Sequence, residues 1–120
     1  MELVALLSAG KGTWGQVAGI INRGQWEKVF LVCPEFMTSR VKTFDFTKNS
    51  ELISVNFDRP IKEVVENLKE KFKGKFSGME VGLSIASGEG KEHMALISAL
   101  INLPVGIKFI VLTKDGILEL

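Results

Sequence analysis

The 120-residue sequence predicts an α/β domain whose doubly wound, mostly parallel sheet has about six strands and ends in an antiparallel β-hairpin. Short apolar runs alternate with longer amphipathic stretches, which is typical of parallel strands joined by helices. Asp115-Gly116 separates the last two apolar runs, and Asp-Gly favours tight hairpin turns. A chain of this length is expected to form one domain, because two would leave neither with an adequate core.

The strands are predicted from continuous apolar runs, because a strand covered by helices on both faces is buried along its whole length. The first run leads into a glycine-rich loop, and Pro34 closes the second. The predicted strands are residues 3–8, 29–33, 53–57, 81–86, 107–112 and 117–120, of which the last is the antiparallel one.

The first helix is predicted between the first two strands, where apolar residues recur at steps of three and four. It stops at Gly24, and its apolar side carries Trp14, Val17, Ile20 and Ile21. Residues 35–50 mix aromatic and polar side chains without a clear period. We expect a short irregular helix there.

The clearest helix follows Pro60, whose fixed φ suits a first helical turn, and Asp58 is its candidate N-cap. The helix is expected to end at Gly74 and the Ser77-Gly78 pair. Lys and Glu separate its apolar residues, which are Ile61, Val64, Val65, Leu68 and Phe72.

The last helix follows residues 87–90 and is broken by Pro104; it carries Met94, Ile97 and Ile101. Strands joined by helices imply right-handed crossovers, with helices on both faces of the sheet. The whole chain is therefore expected to form a Rossmann-like domain.

Composition excludes several classes of protein. Fifteen Lys and Arg against fourteen Asp and Glu give a net charge of +1, which argues against direct DNA binding and against an acidic tail. A single cysteine excludes an internal disulfide framework and a multi-cysteine zinc site, and a single histidine without ligand spacing argues against a metal enzyme. We expect no metal and no cofactor.

The apolar N-terminus is short and lacks a positively charged segment before it, so no targeting sequence is expected. No apolar run approaches the length that a bilayer requires. These features predict a cytoplasmic protein without membrane contact. Abundant Lys and Glu with little Cys is also compatible with a thermophilic, for instance archaeal, source.

Two glycine-rich loops follow the first and fourth strands, at residues 8–13 and 87–91, and each holds a serine, two glycines and a lysine. Ligands of doubly wound sheets bind beyond the carboxyl ends of the strands, where the strand order reverses. In the usual order 3-2-1-4-5 that point lies between these two strands. We therefore expect both loops at one mouth.

The chemistry of these loops suits phosphate, because glycines allow close backbone approach and N–H groups at a helix start hold anions. Lysines would add charge and hydroxyl groups would donate hydrogen bonds. Alternatively, the glycines serve only turns and helix packing. Two such loops side by side favour an anionic ligand. The residues concerned are Ser8, Gly10, Lys11, Gly12, Thr13, Gly15, Ser87, Gly88, Gly90 and Lys91.

Residues 10–15 also match the pattern G-x-G-x-x-G after a strand, and Glu35 falls near the end of the second strand. A carboxylate there binds ribose hydroxyls in dinucleotide-binding proteins. A subunit that binds NAD or FAD is therefore an alternative. The loop is not a P-loop, because Gly12 follows Lys11 where Ser or Thr would stand.

The arrangement resembles the CARF family, the CRISPR-associated Rossmann-fold sensors, over nearly the whole chain. The resemblance is carried by the Ser/Gly loop at 8–13, the Asp and long helix after the third strand, the small-residue loop with lysine at 87–94 and the hairpin at 107–120. The family's usual Gly-Gly-Thr-Lys-x-Met differs here: Glu89 separates the glycines, Gly90 replaces Thr, and Met94 stands one residue late.

The resemblance implies a homodimer that binds one cyclic oligoadenylate across its two-fold axis in CRISPR-linked antiviral signalling, as the sensor part of a longer protein or alone. A binding module is favoured over an enzyme. The alternative is a metal-independent ring nuclease, with Ser8 and Lys91 as its candidate catalytic residues. The expected ligand-binding residues are Ser8, Gly10, Lys11, Gly12, Thr13, Trp14, Ser87, Gly88, Gly90, Lys91 and Met94.

Several other residues could have either a structural or a functional role. Trp14 could stack on an adenine or pack its helix against the sheet, and the sequence leaves both open. We expect His93 to be a surface or capping residue rather than a catalytic one, Cys33 a core residue, and Trp26 a packing residue. The charged run at 62–75 is expected to be a solvated helix face.

Overall fold

A computed structural model describes residues 1–9 and 14–120 and contains one six-stranded sheet with the order β3-β2-β1-β4-β5-β6. The strands are β1 (Glu2–Leu6), β2 (Val29–Pro34), β3 (Ser50–Val55), β4 (Glu80–Ser84), β5 (Gly106–Thr113) and β6 (Gly116–Glu119). The helices are α1 (Trp14–Arg23), α2 (Thr38–Val41), α3 (Ile61–Phe72) and α4 (Gly90–Ile101).

The topology is that of a Rossmann-like α/β fold, as predicted. Strands β1 to β5 run parallel, and β6 returns antiparallel to β5. Gly116 begins β6 with a φ of +115°, a conformation that glycine adopts without steric cost. The strand order reverses between β1 and β4, which lie side by side. The reversal of strand order at which the ligand crevice was predicted is therefore present.

The core consists of two apolar layers, one on each face of the sheet. Successive residues of β1 point to opposite faces, so Val4 and Leu6 join the layer beneath α3 and α4, while Leu3 and Ala5 join the layer beneath α1. All five residues of β1 are buried. The continuous apolar run of the first strand thus reflects burial on both faces, which is what helices on both sides produce.

Residues 35–50 contain more turns than the single short helix predicted. A 3₁₀ turn (Glu35–Met37) leads into α2, and a second 3₁₀ turn (Asp45–Thr47) precedes β3. Met37 and Val41 are buried against the α1 face, which holds this irregular segment in place. Tertiary packing, rather than helical periodicity, shapes the segment.

The start of α3 corrects one prediction. Asp58 does not cap the helix: Pro60 stands immediately before its first residue, and no side chain caps its N-terminus. The Asp58 backbone N–H instead donates to Asn56 Oδ1 at 3.0 Å, which closes a turn between β3 and α3. The fixed φ of proline suits this helix entry.

Helix α4 buries a different face from the one that carries Met94 and Ile101. Its buried residues are Ala95, Leu96, Ala99, Leu100 and the carboxylate Glu92. Met94 and Ile101 are 61% and 65% exposed. Ala95, Leu96, Ala99 and Leu100 all belong to the core layer beneath α3 and α4, so this is the face that the helix buries.

Within residues 1–9 and 14–120, no helix has the length and apolar character needed to cross a membrane.

Candidate functional site

A cavity of about 570 Å³ lies at the carboxyl ends of the parallel strands. This volume is within the range of small-molecule sites, about 300–1,000 Å³. The loops after β1, β2 and β3 and the start of α4 form its wall. The described lining residues are Ser8, Ala9, Pro34, Glu35, Phe36, Val55, Asn56, Phe57, Asp58, Gly88, Glu89, Lys91 and Glu92.

The loops that follow β1 and β4 meet, as the strand order predicts. The backbone N–H of Ser8 donates to Ser87 Oγ at 2.9 Å, and both residues are buried. Of the predicted ligand-binding residues, the wall contains Ser8, Gly88 and Lys91. The predictions for Gly10, Lys11, Gly12 and Thr13 lie outside the described residues.

The most buried polar contact in the wall joins Ser8 to a residue that the sequence analysis missed. Ser8 Oγ donates to the Glu92 carboxylate, with the two oxygens at 2.7 and 2.8 Å. Glu92 Oε1 also accepts the backbone N–H of Glu89 at 2.9 Å. A glutamate three residues after a helix N-cap commonly reaches back in this way, and that spacing was the available signal.

The two glycines of the second loop have different surroundings. Gly88 has a φ of +104°, and a Cβ at this position would lie 2.5 Å from Leu6 Cδ2 and 3.0 Å from Glu92 Oε1. Gly88 is therefore required by the turn and by packing, whatever else lines the cavity. Gly90 begins α4, and a Cβ there would contact nothing within 4 Å.

Lys91 connects the start of α4 with the loop between β3 and α3. Its ammonium Nζ donates to the backbone carbonyl of Arg59 at 2.8 Å, and the residue is exposed. Lys91 therefore lies across the rim of the cavity. An ammonium group has three donors, so two remain for a ligand or water.

The described wall carries more negative than positive side chains. Glu35, Asp58, Glu89 and Glu92 contribute carboxylates, whereas Lys91 is the one ammonium group among the described lining residues. Carboxylates attract cations and hydrogen-bond donors and repel phosphate. No group of three His, Cys, Asp or Glu in the described part of the chain could hold a metal ion.

The Trp14 side chain packs against its neighbours and does not line the cavity. Its ring lies 5.1 Å from the Phe44 ring, with the Arg40 guanidinium 5.1 Å from its centroid. Its indole Nε1 donates to the Ser8 carbonyl at 2.5 Å. Of the two roles left open by the sequence, these contacts favour packing. They also help to position Ser8.

Three residues of the second loop and α4 do not line the described wall, namely Ser87, His93 and Met94. Ser87 is fully buried, and Met94 projects from α4. His93 Nε2 donates to the Ser87 carbonyl at 2.8 Å, because a carbonyl can only accept. The histidine thus braces the second loop.

Trp26 and Cys33 do not line the cavity. The Trp26 indole donates to the Ile20 carbonyl at 2.8 Å, which fixes the end of α1. Cys33 is buried in the α1 layer, and burial raises the pKa of its thiol. Both are packing residues, as expected.

Phe36 is a wall residue whose position the sequence did not predict. It lies in the 3₁₀ turn after β2, lines the cavity and is 77% exposed. An exposed aromatic ring at a cavity mouth offers a surface on which a planar base can stack. No periodic pattern within residues 35–50 distinguished this phenylalanine from its buried neighbours.

No protein-family model matches this chain, and no curated protein is significantly similar to it. A functional assignment must therefore rest on the cavity and its chemistry.

Proposed function

We propose that this domain is a nucleotide-sensing module that binds a cyclic oligoadenylate through the cavity, with two copies of the domain sharing one ligand. The observation that carries the proposal is the position of the cavity at the reversal of strand order. Nucleotides bind at this point in doubly wound sheets. The contact between Ser8 and Ser87 brings together the two loops on which the sequence-based hypothesis depended.

The wall formed after β2 supports a nucleoside ligand. Glu35 follows β2 and lines the cavity, where its carboxylate can accept hydrogen bonds from ribose hydroxyls. Phe36 is adjacent and exposed, and it can stack on an adenine. A carboxylate and an aromatic ring side by side suit a sugar and a base better than they suit a phosphate.

The phosphates would be bound by other groups. Residues 10–13, Gly-Lys-Gly-Thr, follow directly after Ala9, which lines the cavity. Glycine N–H groups and a lysine are suited to phosphate oxygens. Lys91 can add charge at the rim, because two of its donors remain after the bond to Arg59.

The homodimer is supported by the outer face of α4. Met94 and Ile101 stand seven residues apart, two turns of helix, and both are mostly exposed. Met94 is also three residues from Lys91, so the apolar strip begins beside the cavity rim. A dimer formed through this strip would bring two rims together, which suits a symmetric cyclic ligand.

A ligand panel tests the proposal: thermal shift with cyclic tetra-adenylate, cyclic hexa-adenylate, NAD and FAD. Stabilisation by a cyclic oligoadenylate is expected, and Glu35→Gln should reduce it, whereas Glu66→Gln on the exposed face of α3 should not. No shift with either cyclic oligoadenylate would overturn the proposal.

A dinucleotide-binding subunit is the second candidate, favoured by the position of Glu35 in the wall. It predicts a shift with NAD or FAD that Glu35→Gln abolishes. A ring nuclease would be revealed by chromatography of the nucleotide after incubation. An intact ring supports the sensor, and linear products that disappear in Ser8→Ala or Lys91→Ala support the nuclease.

A further inference from the structure

We infer that Glu92 sets the ligand selectivity of the cavity by holding the proton of the Ser8 hydroxyl. Ser8 then presents only hydrogen-bond acceptors, so the ligand group that it meets must be a donor, such as a ribose hydroxyl or an amino group. This inference rests on the proposed function and deepens it, since it states which end of a nucleotide enters the cavity.

The hydrogen-bond inventory of the pair carries the inference. A serine hydroxyl has one hydrogen and two lone pairs, and a carboxylate has no hydrogen to donate. Both Glu92 oxygens lie within 2.8 Å of Ser8 Oγ, so the serine hydrogen is directed to Glu92. Ser8 and Glu92 are 6% and 5% exposed, yet both line the cavity. The free lone pairs of Ser8 are what a ligand can use.

Backbone hydrogen bonds around the pair hold the Glu92 carboxylate in the position where it accepts from Ser8. Glu92 Oε1 also accepts the Glu89 N–H, and Ser8 N–H donates to Ser87 Oγ. The carboxylate stands 3.0 Å from where a Cβ of Gly88 would be, so the loop closes over it. Glu92 cannot turn away without also breaking its hydrogen bond to the Glu89 N–H.

The other charged residues of the described wall are also mainly hydrogen-bond acceptors. Glu35, Asp58 and Glu89 add carboxylates that can only accept hydrogen bonds, whereas the Lys91 ammonium lies at the rim, bonded to the Arg59 carbonyl. An acceptor-rich interior excludes phosphate, which also carries acceptors and negative charge. The nucleoside end of the ligand therefore enters, and its phosphates stay outside.

Glu92→Gln tests the inference, because glutamine keeps the shape of the side chain and replaces one acceptor oxygen with an amide that donates hydrogen bonds. Its Oε1 can still accept the Glu89 N–H, while its amide Nε2 donates to Ser8 Oγ. The amide hydrogen then occupies a Ser8 lone pair that a ligand donor would otherwise use, and the negative charge of residue 92 is gone. Affinity for adenosine should fall about tenfold, and affinity for inorganic phosphate should rise, both measured by titration or ligand-detected NMR. A purely structural role would move both affinities in the same direction.

Glu66→Gln is the matched control, since it removes one exposed carboxylate from α3 and should change neither affinity. If circular dichroism shows that Glu92→Gln does not fold, Ser8→Ala replaces it. That variant should weaken adenosine binding severalfold and leave phosphate binding unchanged.

Three results overturn the inference: wild-type protein that does not bind adenosine, phosphate that binds more tightly than adenosine, or both affinities falling together in Glu92→Gln. Cyclic tetra-adenylate is titrated in parallel to separate the two proposals. Binding of adenosine without the cyclic ligand overturns the proposed function and supports the role of Glu92. Binding of the cyclic ligand without adenosine supports the proposed function and overturns the role of Glu92.

Discussion

Two fully buried serines, Ser84 at the end of β4 and Ser87 in the loop after it, should respond differently to the same substitution. Ser87 Oγ accepts the buried N–H of Ser8 at 2.9 Å and so ties the two loops of the cavity together. Ser84 Oγ is equally buried and has no hydrogen-bond partner among the described residues. Ser87→Ala and Ser84→Ala each remove one oxygen from the interior.

The magnitudes follow from what each change leaves behind. Ser87→Ala leaves a buried N–H without a partner, which costs about 1–3 kcal/mol of unfolding free energy. Ser84→Ala removes a buried polar group that has no partner among the described residues, so stability should be unchanged or rise by up to about 1 kcal/mol. Domains of this kind are stable by only about 5–15 kcal/mol, so the difference is measurable.

Urea unfolding followed by circular dichroism measures both changes. The midpoint should fall for Ser87→Ala with an unchanged slope, because a constant slope indicates that the same surface is exposed on unfolding. The reasoning is refuted if Ser84→Ala loses as much stability as Ser87→Ala, or if Ser87→Ala loses none.

Three further predictions concern the loop glycines, an ion pair and the cavity rim. Gly88→Ala should destabilise the fold by about 1–3 kcal/mol because its φ is +104°, whereas Gly90→Ala should stay within about 0.5 kcal/mol, since its Cβ would meet open space; urea midpoints compare the two. Hydrogen bonding from Lys75 lowers the pKa of Glu51. Glu51→Gln should therefore lower the free energy of unfolding by a fraction of a kcal/mol at neutral pH, and not at all once acid has protonated the wild-type carboxyl. An equal loss of stability at both pH values would argue against the ion pair. Lys91→Ala should weaken cyclic oligoadenylate binding sharply and leave the melting temperature of the free protein nearly unchanged; a large loss of stability would instead indicate a structural role for the lysine.

The sequence allowed the fold to be predicted because its strongest signals are periodic. Runs such as residues 3–8 and the apolar spacing of residues 61–72 reflect burial, and burial is what the sheet and its helices require. The pattern was misleading about which face of α4 is buried. Met94 and Ile101 are apolar but mostly exposed, whereas Ala95, Leu96, Ala99 and Leu100 of the same helix are buried.

The site was only partly predictable for a related reason. The meeting of Ser8 with the β4–α4 loop follows from strand order alone, and the sequence predicted it. Glu92 was missed because its burial depends on a hydrogen bond to Ser8, 84 residues away in the chain. Phe36 was missed because residues 35–50 take their shape from tertiary contacts, which leave no local period.

Isothermal titration of the protein with cyclic tetra-adenylate tests the central claim most directly, because it reports affinity and stoichiometry together. The proposed sensor predicts saturable binding of one ring per two chains, weakened by Glu35→Gln and unaffected by Glu66→Gln. Absence of binding would contradict the claim that the cavity receives a cyclic oligoadenylate. Binding of one ring per chain would contradict a ligand shared across a two-fold axis.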